Sequence, residues 1–330
     1  MGVGGSFGVT VADTLSGFYN PAGLAYVDSG TIGVAYRNLP SSRTRVSGSR
    51  ANPNQSTDQF RGNSAISHVG FALPVKSGVF GLSYTVGGYV RDRTAGTVTD
   101  GVNTAALESR RTLRTDYYTL AYGQTTRDQT ASYGIGVVFA RTELDFRETF
   151  GNFDSTDTSG STNGVGVILG AQFVPKGASN TSFGISYRSE IKLNGNNQVE
   201  SLYRKIPARL AAGLAIRQDG LRGGRDFLVY GLQVQHFFSG DGSSQFDRNA
   251  QTVGSAGVEY NFSQGSGRIP VRLGFNLVPA GGDLYGSRNA LTFGVGYRPN
   301  DGRYGFDVNF ATPQRGGYDV GLSFTYRFKN

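Results

Sequence analysis

Chemistry needs groups that ionise, coordinate or attack, and this chain offers few of them in useful patterns. It has two histidines, His68 and His236, and no cysteine. Thiolate metal sites and disulfides are therefore excluded, and two such distant histidines match no zinc-ligand spacing. Neither histidine sits in a recognisable Ser/His/Asp arrangement, which nucleophilic hydrolysis requires. The Gly-x-Gly runs lie inside alternating segments with no helix after them, so they lack the context of a phosphate- or dinucleotide-binding loop. The expectation is no enzyme, no metal and no cofactor. What remains is a set of charges on the polar parity of alternating segments: Arg217, Glu259, Arg272, Arg298, Asp307 and Arg327. Buried charges must be paired, so these predict an ion-pair belt that Asp13 can join. Such a belt either satisfies polar groups or holds a gate. Two smaller features stand beside it. In Asn20-Pro21-Ala22-Gly23, proline biases Asn20 away from helix, and asparagine can bond its own backbone in a turn. Gly87-Gly88 would permit a bulge or kink in a strand, or simply pack against a neighbour.

The elements that must position these residues are strands. From Tyr318 to Phe328, Tyr318, Val320, Leu322, Phe324, Tyr326 and Phe328 share one parity, and Asp319, Gly321, Ser323, Thr325 and Arg327 the other. A strand's side chains alternate between faces, so this segment has one apolar and one polar wall. The same pattern recurs about fourteen times, near 31–38, 64–74, 78–91, 112–124, 130–147, 162–175, 181–194, 203–217, 225–239, 250–263, 268–279, 289–299, 303–312 and 316–328. Most of these exceed the ~5–6 residues of soluble strands and reach the ~9–11 that cross a bilayer. Connections alternate in length, as in bacterial barrels. Long ones are expected at 39–63, 92–111, 148–161, 195–202, 240–249 and 280–288; short ones lie at 74–78, 175–180, 263–267 and 299–302. An even strand number puts both chain ends on the short-turn side. By this register His68 faces the lumen with Val138, Ile168 and Phe237, while His236 faces outward.

Composition agrees. The chain of 330 residues carries 50 Gly, 22 Phe and 18 Tyr at a mean hydropathy of −0.29. A polar lumen and polar loops dilute an aromatic exterior in that way. No apolar run approaches the ~20 residues of a membrane helix. The start, Met1-Gly2-Val3-Gly4-Gly5, has no basic or apolar leader region and reads as a mature or recombinant beginning without a signal peptide. Net charge is +8. The arginines are scattered through expected loops rather than gathered on a helix, which argues against nucleic acid. Arg43, Arg45, Arg50, Arg61, Arg91, Arg93, Arg110 and Arg111 are candidates for contact with anionic outer-leaflet headgroups.

At 4–13, Gly-Gly-Ser-Phe-Gly-Val-Thr-Val-Ala-Asp, followed by Gly17-Phe18-Tyr19-Asn20-Pro21-Ala22-Gly23-Leu24-Ala25, the chain resembles the FadL-type outer-membrane transporter family, which includes PorV-related barrels. Similar stretches are Ile206-Pro207-Ala208-Arg209-Leu210 and Pro270-Val271-Arg272-Leu273-Gly274. The resemblance implies an all-β transmembrane antiparallel barrel of about 14 strands over 31–330. Residues 1–30 would form a hatch in the lumen holding the Asn-Pro-Ala motif. It implies a bacterial outer-membrane location with periplasmic termini and passive uptake of fatty acids or other hydrophobic small molecules. It also leaves open a structural or assembly barrel that organises lipid or forms a homo-oligomer.

Overall fold

The computed structural model describes residues 6–49, 52–99, 104–151, 154–175, 180–195, 197–240, 249–281, 287, 289–313 and 319–328; the side chains of 39–64, 88–104, 107, 111, 150, 154, 197 and 313 also lie outside the description. The strands are β1 (Thr31–Ser49), β2 (Asn52–Val75), β3 (Gly78–Thr99), β4 (Thr104–Thr125), β5 (Ala131–Phe150), β6 (Asp154–Phe173), β7 (Thr181–Arg188) and the short β8 (Ile191–Lys192) and β9 (Lys205–Ile206). Then follow β10 (Arg209–Gly220), β11 (Asp226–Phe237), β12 (Gln251–Gln264), β13 (Gly267–Leu277), β14 (Ala290–Pro299), β15 (Tyr304–Pro313) and β16 (Asp319–Arg327). Helical pieces are short: α1 (Ser16–Tyr19), a 3-10 turn at Pro21–Tyr26, α2 (Asn197–Leu202) and α3 (Leu221–Gly224).

Strands β1–β7 and β10–β16 form one closed antiparallel barrel of fourteen strands, with β8 and β9 paired only to each other. The closing seam runs from Thr31 opposite Arg327 to Asn38 opposite Val320. Closure leaves no free edge, the condition for a sheet to sit in lipid. The outward parity is greasy all round. Leu82, Leu120, Ile135, Val165 and Leu232 are each more than half exposed. From Val165 to Phe173 the outward apolar row covers eight rises, ~27 Å of strand, which a tilt of ~40° reduces to ~20 Å, close to the lipid-facing band of a membrane barrel. Rings of Phe80 and Tyr122 (4.9 Å apart) and of Tyr297 and Tyr304 (6.3 Å) mark its margin by the short turns.

Both ends of the barrel wall lie at that margin, since Thr31, where β1 begins, pairs with Ala72 and with Arg327, where β16 ends. Among the turns there, Gly302 adopts φ +64°, a left-handed conformation that glycine takes without strain. Of the four short connections read from sequence, residues 176–179 lie outside the described residues.

The expected long loops differ. Residues 39–63, 92–111 and 148–161 are mostly strand. The β1–β2 ladder reaches Ser49 opposite Asn52, β3–β4 reaches Thr99 opposite Thr104, and β5–β6 reaches Phe150 opposite Asp154. Hydropathy alternation stops where the wall leaves lipid, but backbone pairing does not need an apolar face. The 195–202 segment is not a surface loop either. The connector from Ser189 to Ala208, containing β8, α2 and β9, carries buried Ile191, Leu193, Val199, Tyr203 and Ile206 and folds into the barrel. Much of 240–249 and 280–288 lies outside the described residues.

Candidate functional site

The bore is occupied from two directions. From the short-turn end comes the N-terminal segment. Asn20 is extended (φ −155°, ψ 100°) between α1 and the 3-10 turn, as an Asn-Pro pair favours. Its side chain is fully buried. The amide Nδ2 donates to the carbonyls of Val9 (2.7 Å) and Ala171 on β6 (3.1 Å), and Oδ1 accepts from the Ala22 amide (3.2 Å). One side chain thus folds the segment on itself and ties it to the wall. Pro21, Ala22 and Gly23 are buried with it. Further ties run from the Val9 amide to Gln233 Oε1 (2.8 Å), from Gln172 Nε2 to the Thr10 carbonyl (3.3 Å), and from Ser186 Oγ to the Tyr19 carbonyl (2.6 Å). Lumen glycines provide the seat. A Cβ at Gly184 would stand 2.1 Å from the Val9 carbonyl oxygen, and one at Gly134 would stand 2.4 Å from the Pro21 carbonyl carbon.

His68 belongs to this seat. Its Nε2 bonds Thr14 Oγ1 (3.1 Å) and its Nδ1 bonds Thr85 Oγ1 (3.0 Å), so both ring nitrogens are engaged. His236 bonds Thr252 Oγ1 at 2.9 Å.

Above the segment lies an apolar cluster. Phe18 packs against Tyr117 in a tilted ring contact with centroids 5.2 Å apart. Around them pack Leu113, Val138, Ala140, Leu144, Phe146 and Ile168 from β4–β6, and the connector's Ile191, Val199 and Ile206. Val138 and Ile168 face inward, as their parity requires, and Phe237 is half-buried.

Charges in the lumen fall into separate groups. Arg272 on β13 reaches Glu259 on β12 and Asp307 on β15, each at 2.5 Å, and Arg298 on β14 reaches the other oxygen of Asp307 at 2.7 Å. Ser323 Oγ on β16 also donates to Asp307, at 3.2 Å. This group links five consecutive strands. Arg217 does not join it. Its guanidinium pairs with Asp219 (2.8 Å) and lies 3.9 Å from the Phe227 ring centre, because β10 stands on the far side of β11 from the group. Arg327 is also elsewhere. It lines a small polar cavity of about 230 Å³ with Asp13, Asp28, Tyr26 and Thr325 at the short-turn end. A second arginine group was invisible to residue spacing: Arg188 on β7 and Arg209 on β10 are directly opposed and both buried. Of the arginines read as headgroup contacts, Arg110 stands exposed 4.0 Å from Asp145. Arg50 lies outside the described residues, as do the side chains of Arg43, Arg45, Arg61, Arg91, Arg93 and Arg111.

Asp13 gives the segment a pH response. Burial pushes its carboxyl up; the amides of Leu15 and Ser16 and the charge of Arg298 offset part of that. A carboxyl raised on docking favours the docked state while protonated. That contribution is complete below the free carboxyl's value of 3.8 and is lost as pH rises through the docked value. Lowering pH through the acid range should therefore protect residues 6–30 from protease, and Asp13→Asn should flatten that dependence. An identical pH profile in both proteins would show that Asp13 does not govern docking.

The wall itself is interrupted at one place. The β2–β3 ladder runs from Val75 opposite Gly78 to His68 opposite Thr85, then resumes only at Gln59 opposite Thr94. Both strands bulge at this level. On β2 the register against β1 shifts between Ala35 and Tyr36, opposite Ser67. On β3 the register against β4 shifts between Val86 and Gly88, leaving Gly87 as the extra residue. Bulges bend a strand and increase its twist, so two facing bulges splay the pair. The Tyr117 ring fills the space inside Gly87, where a Cβ would meet it at 1.8 Å.

The closed fourteen-stranded barrel is the fold of the FadL-type outer-membrane channels. A Pseudomonas aeruginosa FadL homologue superposes with TM-score 0.61 at 16% identity, covering 99% of this chain and 96% of that one. The Pseudomonas putida toluene transporter TodX superposes with TM-score 0.67 at 13% identity, again covering 99% and 96%. At such identities the likeness is one of fold. No protein-family model matches the sequence, and no characterised protein matches it by sequence.

Proposed function

We propose that this protein is a bacterial outer-membrane channel for passive uptake of hydrophobic molecules, with its short turns and both termini in the periplasm. The observation that carries the reading is the splayed β2–β3 pair beside an apolar lumen cluster. An open water-filled pore has no use for Phe18, Tyr117, Val138 and Ile168 in its bore, and a purely structural barrel has no use for a break in its wall. Unpaired backbone is costly against lipid tails, and this break begins where the outward apolar row of β2 ends at Ile66. A hydrophobic guest moving between lumen and wall would pass Tyr117 and Gly87, with the segment 6–30 closing the direct route downward. The toluene in the TodX neighbour's name, and the fatty-acid uptake implied by the sequence's resemblance to the FadL-type family, make small aromatics and acyl chains the first cargoes to try.

The test is uptake into proteoliposomes loaded with the full chain. Labelled oleate and toluene should enter faster than into protein-free vesicles. Gly87→Val should slow entry markedly, because the new side chain forces Tyr117 out of its place; overpacking of this kind costs about 1–3 kcal/mol. Uptake no faster than in empty vesicles for both compounds would refute the channel reading and leave the assembly role.

A further inference from the structure

Strands β7 and β10 meet in a register that sets Arg188 directly opposite Arg209. Both side chains point into the bore and both are 3% exposed. Arg188 Nη2 donates to the Pro207 carbonyl (2.7 Å), and Arg209 Nη2 donates to the carbonyls of Phe18 and Tyr19 (3.1 Å each). The Arg188 guanidinium lies 5.2 Å from the Tyr117 ring centre, and that of Arg209 lies 5.5 and 5.6 Å from those of Phe18 and Tyr19. The Nε of each arginine is buried with no partner. Among the described residues no carboxylate pairs with either, and the charge of Arg188 acts directly on Arg209.

Two like charges in one dry place repel, and each pays a desolvation cost of its own. Carbonyls and ring faces offset part of this, but they bring no net negative charge. Elsewhere in the same bore Arg272 and Arg298 are neutralised by Glu259 and Asp307. We infer that the Arg188–Arg209 rung is an anion site that takes one singly charged group, either a free halide-sized ion or the carboxylate end of an amphiphile. Its placement gives it a consequence. Arg188 closes one end of the inward-folded connector and Arg209 holds the N-terminal segment, so a bound anion stabilises both fillings of the bore together. The inference does not rest on transport, since a barrel that carries no cargo would need the same counter-charge.

The experiment uses the full chain in detergent at fixed ionic strength. Replacing gluconate by bromide should raise the unfolding midpoint by a few degrees in a saturable way, as binding to the folded state alone requires. Crystals grown in bromide should show anomalous density against the two guanidinium groups. Arg188→Glu supplies the missing charge from within and should keep the fold while abolishing the bromide effect. Added decanoate separates the sources. If it displaces the bromide, the site takes an amphiphile's carboxylate; if bromide stays, the site belongs to a free ion; either result supports the site. Equal midpoints in bromide and gluconate, with no bromide density at the rung, would overturn it. Both readings need only the wild-type chain.

Discussion

Gly134→Val combined with Gly184→Val is expected to detach the N-terminal segment and raise single-channel conductance in planar bilayers, while the β-sheet spectrum stays unchanged. The reason is geometric. At these positions a Cβ would stand 2.4 Å from the Pro21 carbonyl carbon and 2.1 Å from the Val9 carbonyl oxygen. The opposing atoms are backbone, so no side-chain rotation relieves the clash. Each insertion costs about 1–3 kcal/mol. The docking hydrogen bonds from Asn20, Gln233, Gln172 and Ser186 contribute roughly 1 kcal/mol each, so the pair of substitutions competes with the whole docking interaction. Gly254→Val is the control, because nothing lies within 4 Å of a Cβ there. Protease added from the short-turn side should cut residues 6–30 of the double variant and spare them in wild type. Conductance and cleavage both at wild-type levels would show that the segment is not seated as described.

Arg272→Ala should act on the other property, wall stability, and leave conductance alone. The guanidinium stands between Glu259 and Asp307 and is itself mostly buried. Without it the one cation left to the two carboxylates by the described ion pairs is Arg298, which reaches Asp307 and not Glu259. Removing one member of such a buried group costs about 3–5 kcal/mol, because a charge is left without its partner. The unfolding midpoint in denaturant should fall accordingly. Arg272→Lys should recover only part, since an ammonium cannot serve two carboxylates with a planar fork. Adding Glu259→Gln and Asp307→Asn to Arg272→Met should restore most of the stability. The group ties β12 to β16 to one another, and its described bonds do not include the N-terminal segment, so these variants should stay as closed as wild type. A conductance jump in Arg272→Ala with unchanged stability would instead make the group a latch.

Much of this was legible in residue order. Alternation settled the inward or outward direction of Val138, Ile168, His68 and the arginine–carboxylate group, because a period of two holds without knowledge of the partner strand. Gly87-Gly88 left two readings open, a bulge or simple packing, and the choice between them came from the register shift between Val86 and Gly88 rather than from residue order. Asn20 was legible for the same local reason, as its backbone is dictated by the proline after it.

Tertiary structure alone decided the rest. Arg188 and Arg209 carry no mutual signal in the sequence; they meet because a connector folds inward and lets β7 and β10 pair in one register. Arg217 and Arg327 share the parity of Arg272 but not its neighbours, because lumen partners depend on position around the barrel as well as depth along a strand. Strand continuation through 39–63, 92–111 and 148–161 is written in backbone pairing, which hydropathy does not report. The break between β2 and β3 is likewise a disagreement between two registers, each set by the strand on its other side. Residue order determines which way a side chain points; only closure of the whole wall determines what it points at.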